Sequence, residues 1–172
     1  MPNNCLQSIR SSKNDIRSFK TLDFRYNKLA QIPKLDYPLL SFYDLSRNSI
    51  NTVSKTDFTF TKDVMFVNLS NNNLRSLPQD ILKDLHLLRE LNLSHNLISD
   101  LFENIFDENK ELEKLDMSYN QLTKLSKFIF NMSDKLEVIN MSNNKIKYVD
   151  LWFGMLNRLK VLRLESNDII EL

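Results

Sequence analysis

The sequence predicts a curved α/β solenoid forming one domain over residues 1–172. A parallel sheet lines its concave face, and short helices, 3-10 turns or loops line its convex face. Three observations predict it. The composition is lopsided: 29 of the 172 residues are Leu and 21 are Asn, against a single Gly. Asn is disfavoured inside helices and strands, so a folded chain this rich in it uses Asn in one repeated role. One word, apolar-x-x-apolar-x-apolar-x-x-Asn-x-apolar, recurs seven times in register. Its period of about 24 residues lies in the range of stacked repeats.

The words run FKTLDFRYNKL (19–29), LSFYDLSRNSI (40–50), VMFVNLSNNNL (64–74), LRELNLSHNLI (88–98), LEKLDMSYNQL (112–122), LEVINMSNNKI (136–146) and LKVLRLESNDI (159–169). Their asparagines are Asn27, Asn48, Asn72, Asn96, Asn120, Asn144 and Asn167, spaced by 21, 24, 24, 24, 24 and 23. Asn4, with Leu6 and Ile9 behind it, reads as the tail of a partial N-terminal unit.

The centre of each word alternates apolar and polar residues, the mark of a short strand with successive side chains on opposite faces. In the fourth word, Leu91 and Leu93 point inward, and Glu90, Asn92 and Ser94 point outward. No unit buries its apolar residues alone, so units stack and their strands pair in parallel. Where each strand ends, the backbone turns and leaves N–H and C=O groups to satisfy. An Asn side chain both donates and accepts, so one per turn serves the backbone of its own and the next unit. Behind each Asn come apolar residues at +2 and +5, with Pro33 and Pro78 at +6. Phe58, Phe106 and Phe130 stand at +10, with Leu82 substituting once, and form a second apolar column toward the convex side. The 21-residue unit holds Pro33 and Pro38 and predicts a tighter convex loop.

This pattern resembles the leucine-rich repeat family over essentially residues 4–172. The +2, +5 and +10 positions resemble its 24-residue "typical" subclass, found in Toll-type receptors and other extracellular repeat proteins. The resemblance implies a right-handed solenoid and a non-catalytic protein-binding module. It further implies a piece of an extracellular or cell-surface recognition, adhesion or receptor protein, with a protein ligand or co-receptor as partner. The alternative is an intracellular scaffold or regulatory subunit in a phosphatase or GTPase pathway, to which a single cysteine points. A third reading is the targeting half of a larger enzyme.

Composition narrows the chemistry. With 23 Lys+Arg against 22 Asp+Glu, the net charge of +1 gives no general pull toward nucleic acid or an anionic membrane. Gly154 alone cannot build a phosphate-cradling loop. Cys5 alone makes neither an intrachain disulfide nor a cysteine zinc cluster, and His86 and His95 cannot make a three-histidine metal site. No apolar run reaches the length of a membrane-spanning helix. The expectation is therefore no catalytic residues, no cofactor, no metal and no membrane segment. His95 lies one strand from Asp116 and Ser118, but the Asx and Ser columns recur in most units, so His95 reads as an exposed surface residue. His86 reads as a convex-face surface residue.

Four Asn-x-Ser triplets begin at Asn68, Asn92, Asn131 and Asn140. Three coincide with the repeat word itself, which leaves Asn131 as the candidate glycosylation site. The candidate partner-binding face is the concave sheet and its edge around Tyr26, Phe42, Arg47, Phe66, His95 and Tyr119, which depart from the repeat; Arg25, Arg163 and Glu165 also break its Ser and Asx columns. Tyr, Phe and Arg are anchor types at interfaces. Phe42 and Phe66 occupy the same position of adjacent strands and predict an apolar step. No polar cap is visible around the partial first unit or the last word. The expectation is a piece of a longer protein that associates end to end when isolated.

Overall fold

A computed structural model describes residues 19–34, 36–149 and 154–171. The partial unit at residues 4–9, Cys5 and Leu172 lie outside them. Seven three-residue strands follow in chain order: β1 Thr21–Asp23, β2 Phe42–Asp44, β3 Phe66–Asn68, β4 Glu90–Asn92, β5 Lys114–Asp116, β6 Val138–Asn140 and β7 Val161–Arg163. They form one sheet in the order β1 to β7. Every neighbouring pair is parallel and in register with the repeat: Phe42 faces Phe66, Glu90 faces Lys114, and Lys114 faces Val138.

The inward positions form the core. Leu91, Leu93, Leu115, Met117, Ile139 and Met141 are all essentially sealed from solvent. The +2 residues Ile50, Leu74, Ile98, Leu122 and Ile146 are sealed beside them. Phe58, Leu82, Phe106 and Phe130 make the second column, with the Phe106 and Phe130 rings 5.7 Å apart. Among the seven described strands, Tyr43 alone brings a hydroxyl to the central position. Its ring packs edge-on to Phe24 and Phe58, and its hydroxyl is buried with no hydrogen-bond partner among the described residues.

Of the three options expected for the convex face, turns are the one realised. None of the described residues is α-helical, and only residues 154–155 are 3-10. Chains of three-residue turns fill the space instead: Ile105, Asn109 and Leu112 N–H groups donate to Phe102, Phe106 and Asn109 carbonyls. Ile105, Phe106, Asn109 and Leu112 are all buried along these turns. Their spacing does not choose between turns and a helix, because positions 105, 109 and 112 also share one face of a 3.6-residue helix; the i to i+3 hydrogen bonds define the turns.

The asparagine ladder is present, with one correction to its direction. The Asn96 side-chain amide donates to Leu93 O of its own unit and to Leu69 O of the preceding one, while its Oδ1 accepts the Leu74 N–H, also of the preceding unit. Asn120 repeats this, donating to Met117 O and Leu93 O and accepting the Ile98 N–H. Asn48, Asn72, Asn144 and Asn167 do the same. Asn27 donates to Phe24 O of its own unit. From Asn48 onward each Asn thus ties its unit backward. The geometry requires it, because the Asn follows the strand and the last turn's backbone lies beneath its side chain.

Candidate functional site

The sheet's outer face and the turns that end its strands carry the departures from the repeat. Every residue immediately before a ladder Asn has a positive φ: Tyr26 57°, Arg47 54°, Asn71 54°, His95 54°, Tyr119 55°, Asn143 56° and Ser166 56°. Asn accepts this left-handed conformation readily, but a bulky side chain there costs on the order of 1–2 kcal/mol. Two of the seven turns use Asn, as the conformation favours. Four place Tyr, Arg or His there, and the same turn then lifts the side chain into solvent. Tyr26 and Tyr119 are half-exposed, and Arg47 and His95 are exposed.

The predicted site residues come together as three pairs. The Phe42 and Phe66 rings lie parallel with centroids 4.3 Å apart on β2 and β3, each only half-buried. His95 and Tyr119 stack at 4.1 Å. The Arg47 guanidinium lies 5.1 Å over the Tyr26 ring. Each pair joins equivalent positions of adjacent units, so the stacking follows from the repeat. The structure does not merge the three pairs into one cluster.

One column departs from the side that alternation assigns it. Alternation places the serines outward, but Ser46, Ser70, Ser94, Ser118 and Ser142 are buried. The Asx residue two positions earlier folds back and accepts the serine N–H. Asn92 Oδ1 takes Ser94 N–H at 2.9 Å and Ser94 Oγ–H at 2.8 Å. Asp116 holds Ser118 in the same way, at 2.9 and 2.7 Å. The Ser118 hydroxyl donates to Asp116, and the His95 ring stacks on Tyr119.

Charges on and just before β4 to β7 neutralise one another from unit to unit. Lys114 meets Glu90 at 2.7 Å, Arg89 meets Glu113 at 3.2 Å, and Lys160 meets Glu137 at 2.8 Å. Arg25 is held by Asp23 at 2.6 Å, which keeps the Asp23 carboxyl below its usual range through that hydrogen bond. A shallow depression of about 190 Å³ lies among Phe66, Glu90, Lys114, Asp116, Val138 and Arg163. A larger cleft of about 590 Å³ opens away from this face, where the short unit with Pro33 meets residues 52–57. Among the described residues no group of His, Cys, Asp or Glu is arranged to hold a metal ion, and no helix is long and apolar enough to cross a membrane.

Asn109 escaped sequence reasoning. It is fully buried on the convex side, and its amide donates to Leu82 O and Leu85 O of the preceding unit, both at 2.9 Å. It is a ladder asparagine on the other side of the stack. Its counterparts one unit away are Leu85 and Ser133, so no repeated Asn signalled it.

The leucine-rich repeat sequence profile matches residues 62–122 and 110–169, more than half of the chain. The chain belongs to the leucine-rich repeat family. Such repeats are commonly non-catalytic protein-interaction modules. The fold superposes on TLR13 in its complex with the single-stranded RNA ssRNA13, at TM-score 0.82 and 27% identity, covering 88% of this chain and 22% of TLR13. A leucine-rich repeat protein of Leptospira interrogans gives TM-score 0.77 and 26% identity over 97% of this chain and 48% of its own. An internalin of Listeria monocytogenes, InlF, shares the fold at TM-score 0.75 and 23% identity, covering 90% of this chain and 44% of the internalin. The chain therefore spans about a fifth to a half of these proteins. No curated protein sequence matches it.

Proposed function

We propose that this chain is a non-catalytic protein-binding module of an extracellular or cell-surface recognition, adhesion or receptor protein. Its partner, a protein ligand or co-receptor, docks on the concave face and its edge around Tyr26, Phe42, Arg47, Phe66, His95 and Tyr119. One observation carries the reading. Bulky aromatic and cationic side chains sit at left-handed turn positions where Asn costs less, and they are solvent-exposed in stacked pairs. Strain kept at exposed positions points to use. The TLR13 likeness supports a receptor context.

The test screens the chain against a panel of secreted and ectodomain proteins. Each hit is then measured against Phe42→Ala/Phe66→Ala and His95→Asn/Tyr119→Asn. The Asn pair reproduces what Asn71 and Asn143 already do, so it keeps the fold and relieves strain. The expected result is at least a tenfold affinity loss, about 1.4 kcal/mol, with unchanged circular dichroism. Hits that bind both variants at wild-type strength would place the contact elsewhere. The single cysteine keeps the intracellular scaffold as the second reading. Hits confined to a parallel cytosolic panel would favour it.

A further inference from the structure

We infer that Asn131 is a carbohydrate acceptor, modified before its own repeat finishes folding. The inference rests on the extracellular reading above. All four Asn-x-Ser triplets satisfy the sequence rule, and the structure separates them by which attached glycan the finished fold can carry. Asn68, Asn92 and Asn140 lie on the sheet's outer face, half-buried among their neighbours. Each one's Oδ1 accepts the N–H of the serine in its own triplet, at 3.0, 2.9 and 3.1 Å. Asn68 also donates its amide to Asp44 Oδ2. A glycan on these residues would emerge between packed strands and cover the face assigned to the partner.

Asn131 differs on each count. It sits in the convex turn that follows Phe130, it is exposed, and its side chain makes no hydrogen bond among the described residues. A sugar attached there leaves straight into solvent. Its turn also exposes two large apolar side chains, Phe128 at 47% and Met132 at 51%. A glycan rooted between them would shield that patch. The bond formed is Asn131 Nδ2 to the anomeric carbon of a lipid-pyrophosphate-linked oligosaccharide. The sugar–phosphate C–O bond breaks, the lipid pyrophosphate leaves with that electron pair, and the amide gives up one proton.

The timing follows from the third residue of the triplet. The Ser133 hydroxyl is buried, with the residue 1% exposed, and finds no hydrogen-bond partner among the described residues. An enzyme that reads the Asn-x-Ser triplet cannot reach that hydroxyl once the turn has packed. The acceptor is therefore available only while residues 126–136 are unpacked.

The experiment imposes the compartment, so that its failure is distinct from failure of the extracellular reading. The full chain, fused to a cleavable leader, is expressed through a eukaryotic secretory pathway and mapped by glycosidase shift and mass spectrometry. A glycan at Asn131 that Asn131→Gln or Ser133→Ala abolishes and Ser133→Thr retains is the expected result. In parallel, unglycosylated chain is offered to purified oligosaccharyltransferase and a lipid-linked donor, once folded and once unfolded in urea then diluted. Modification at least tenfold greater for the unfolded form is expected. Secreted, folded chain bare at Asn131 would overturn the inference, as would glycan on Asn68, Asn92 or Asn140 in its place. Equal modification of folded and unfolded chain would overturn the timing.

Discussion

Tyr43 and Asn96 illustrate opposite ends of the same rule for buried polar groups. The Tyr43 hydroxyl is sealed without a partner, and burial pushes its pKa well above the usual phenolic range, so it stays neutral. Removing an unsatisfied group while keeping the ring recovers part of its desolvation cost. Tyr43→Phe should stabilise the chain by about 1 kcal/mol, seen as a rise of about 2–4 °C in Tm. Asn96 is the reverse case, fully engaged with three carbonyls and one N–H. Asn96→Ala strands those groups in the core. A loss of at least about 1–3 kcal/mol is expected in urea unfolding. A neutral outcome would show that the neighbouring turns close over the gap without it.

At the level of elements, the strands are linked by more than backbone pairing. Glu111 meets Lys135 at 2.6 Å and Glu137 meets Lys160 at 2.8 Å, at equivalent positions of adjacent units. Hydrogen bonds from these lysines hold both glutamates below their usual pKa. A carboxyl depressed in the folded state stabilises above its unfolded pKa and loses that contribution as pH falls through the folded one. Acidification from pH 5 downward should therefore weaken the stack. The effect should be small, because exposed pairs are screened by water and salt. Glu111→Gln/Glu137→Gln should flatten the acid limb of a Tm-against-pH curve and reduce its salt dependence. An unchanged curve would leave these pairs without energetic weight.

For the molecule as a whole, burial declines toward β7. Leu115 and Ile139 are sealed, while Leu159, Leu162, Leu164 and Ile169 are only partly buried against the core. Among the described residues, β7 pairs with β6 alone. Studied as this 172-residue chain, that end offers apolar side chains and a free strand edge to another copy. We expect concentration-dependent end-to-end association by sedimentation, with hydrogen exchange fastest near β7 and slowest in β3 to β6. Replacing Leu162 and Leu164 with Asn should abolish the association while the β3 to β6 protection persists. A monomer at all concentrations, protected uniformly to Glu171, would refute this.

The periodic part of the protein was determined by the sequence alone. Seven words in register specify seven parallel strands, their order, the inner leucine column and the asparagine ladder, because each unit repeats one set of local constraints. Phe42 and Phe66 could be placed on adjacent strands for the same reason. What needed the tertiary structure was whatever depends on the path between words. The convex residues carry no strict period, so neither turns over helices nor the buried bridge at Asn109 could be read from them. The serine column went wrong because alternation assigns a side to each residue but not the Asx turn that seals the serine beneath. The left-handed φ before every ladder Asn is written only in Asn71 and Asn143, and is masked where Tyr, Arg and His occupy the position. Strand alternation and stacking are properties of one short word, repeated. Burial of a polar side chain is a property of the neighbours that close over it, and those come from the unit before and the unit after.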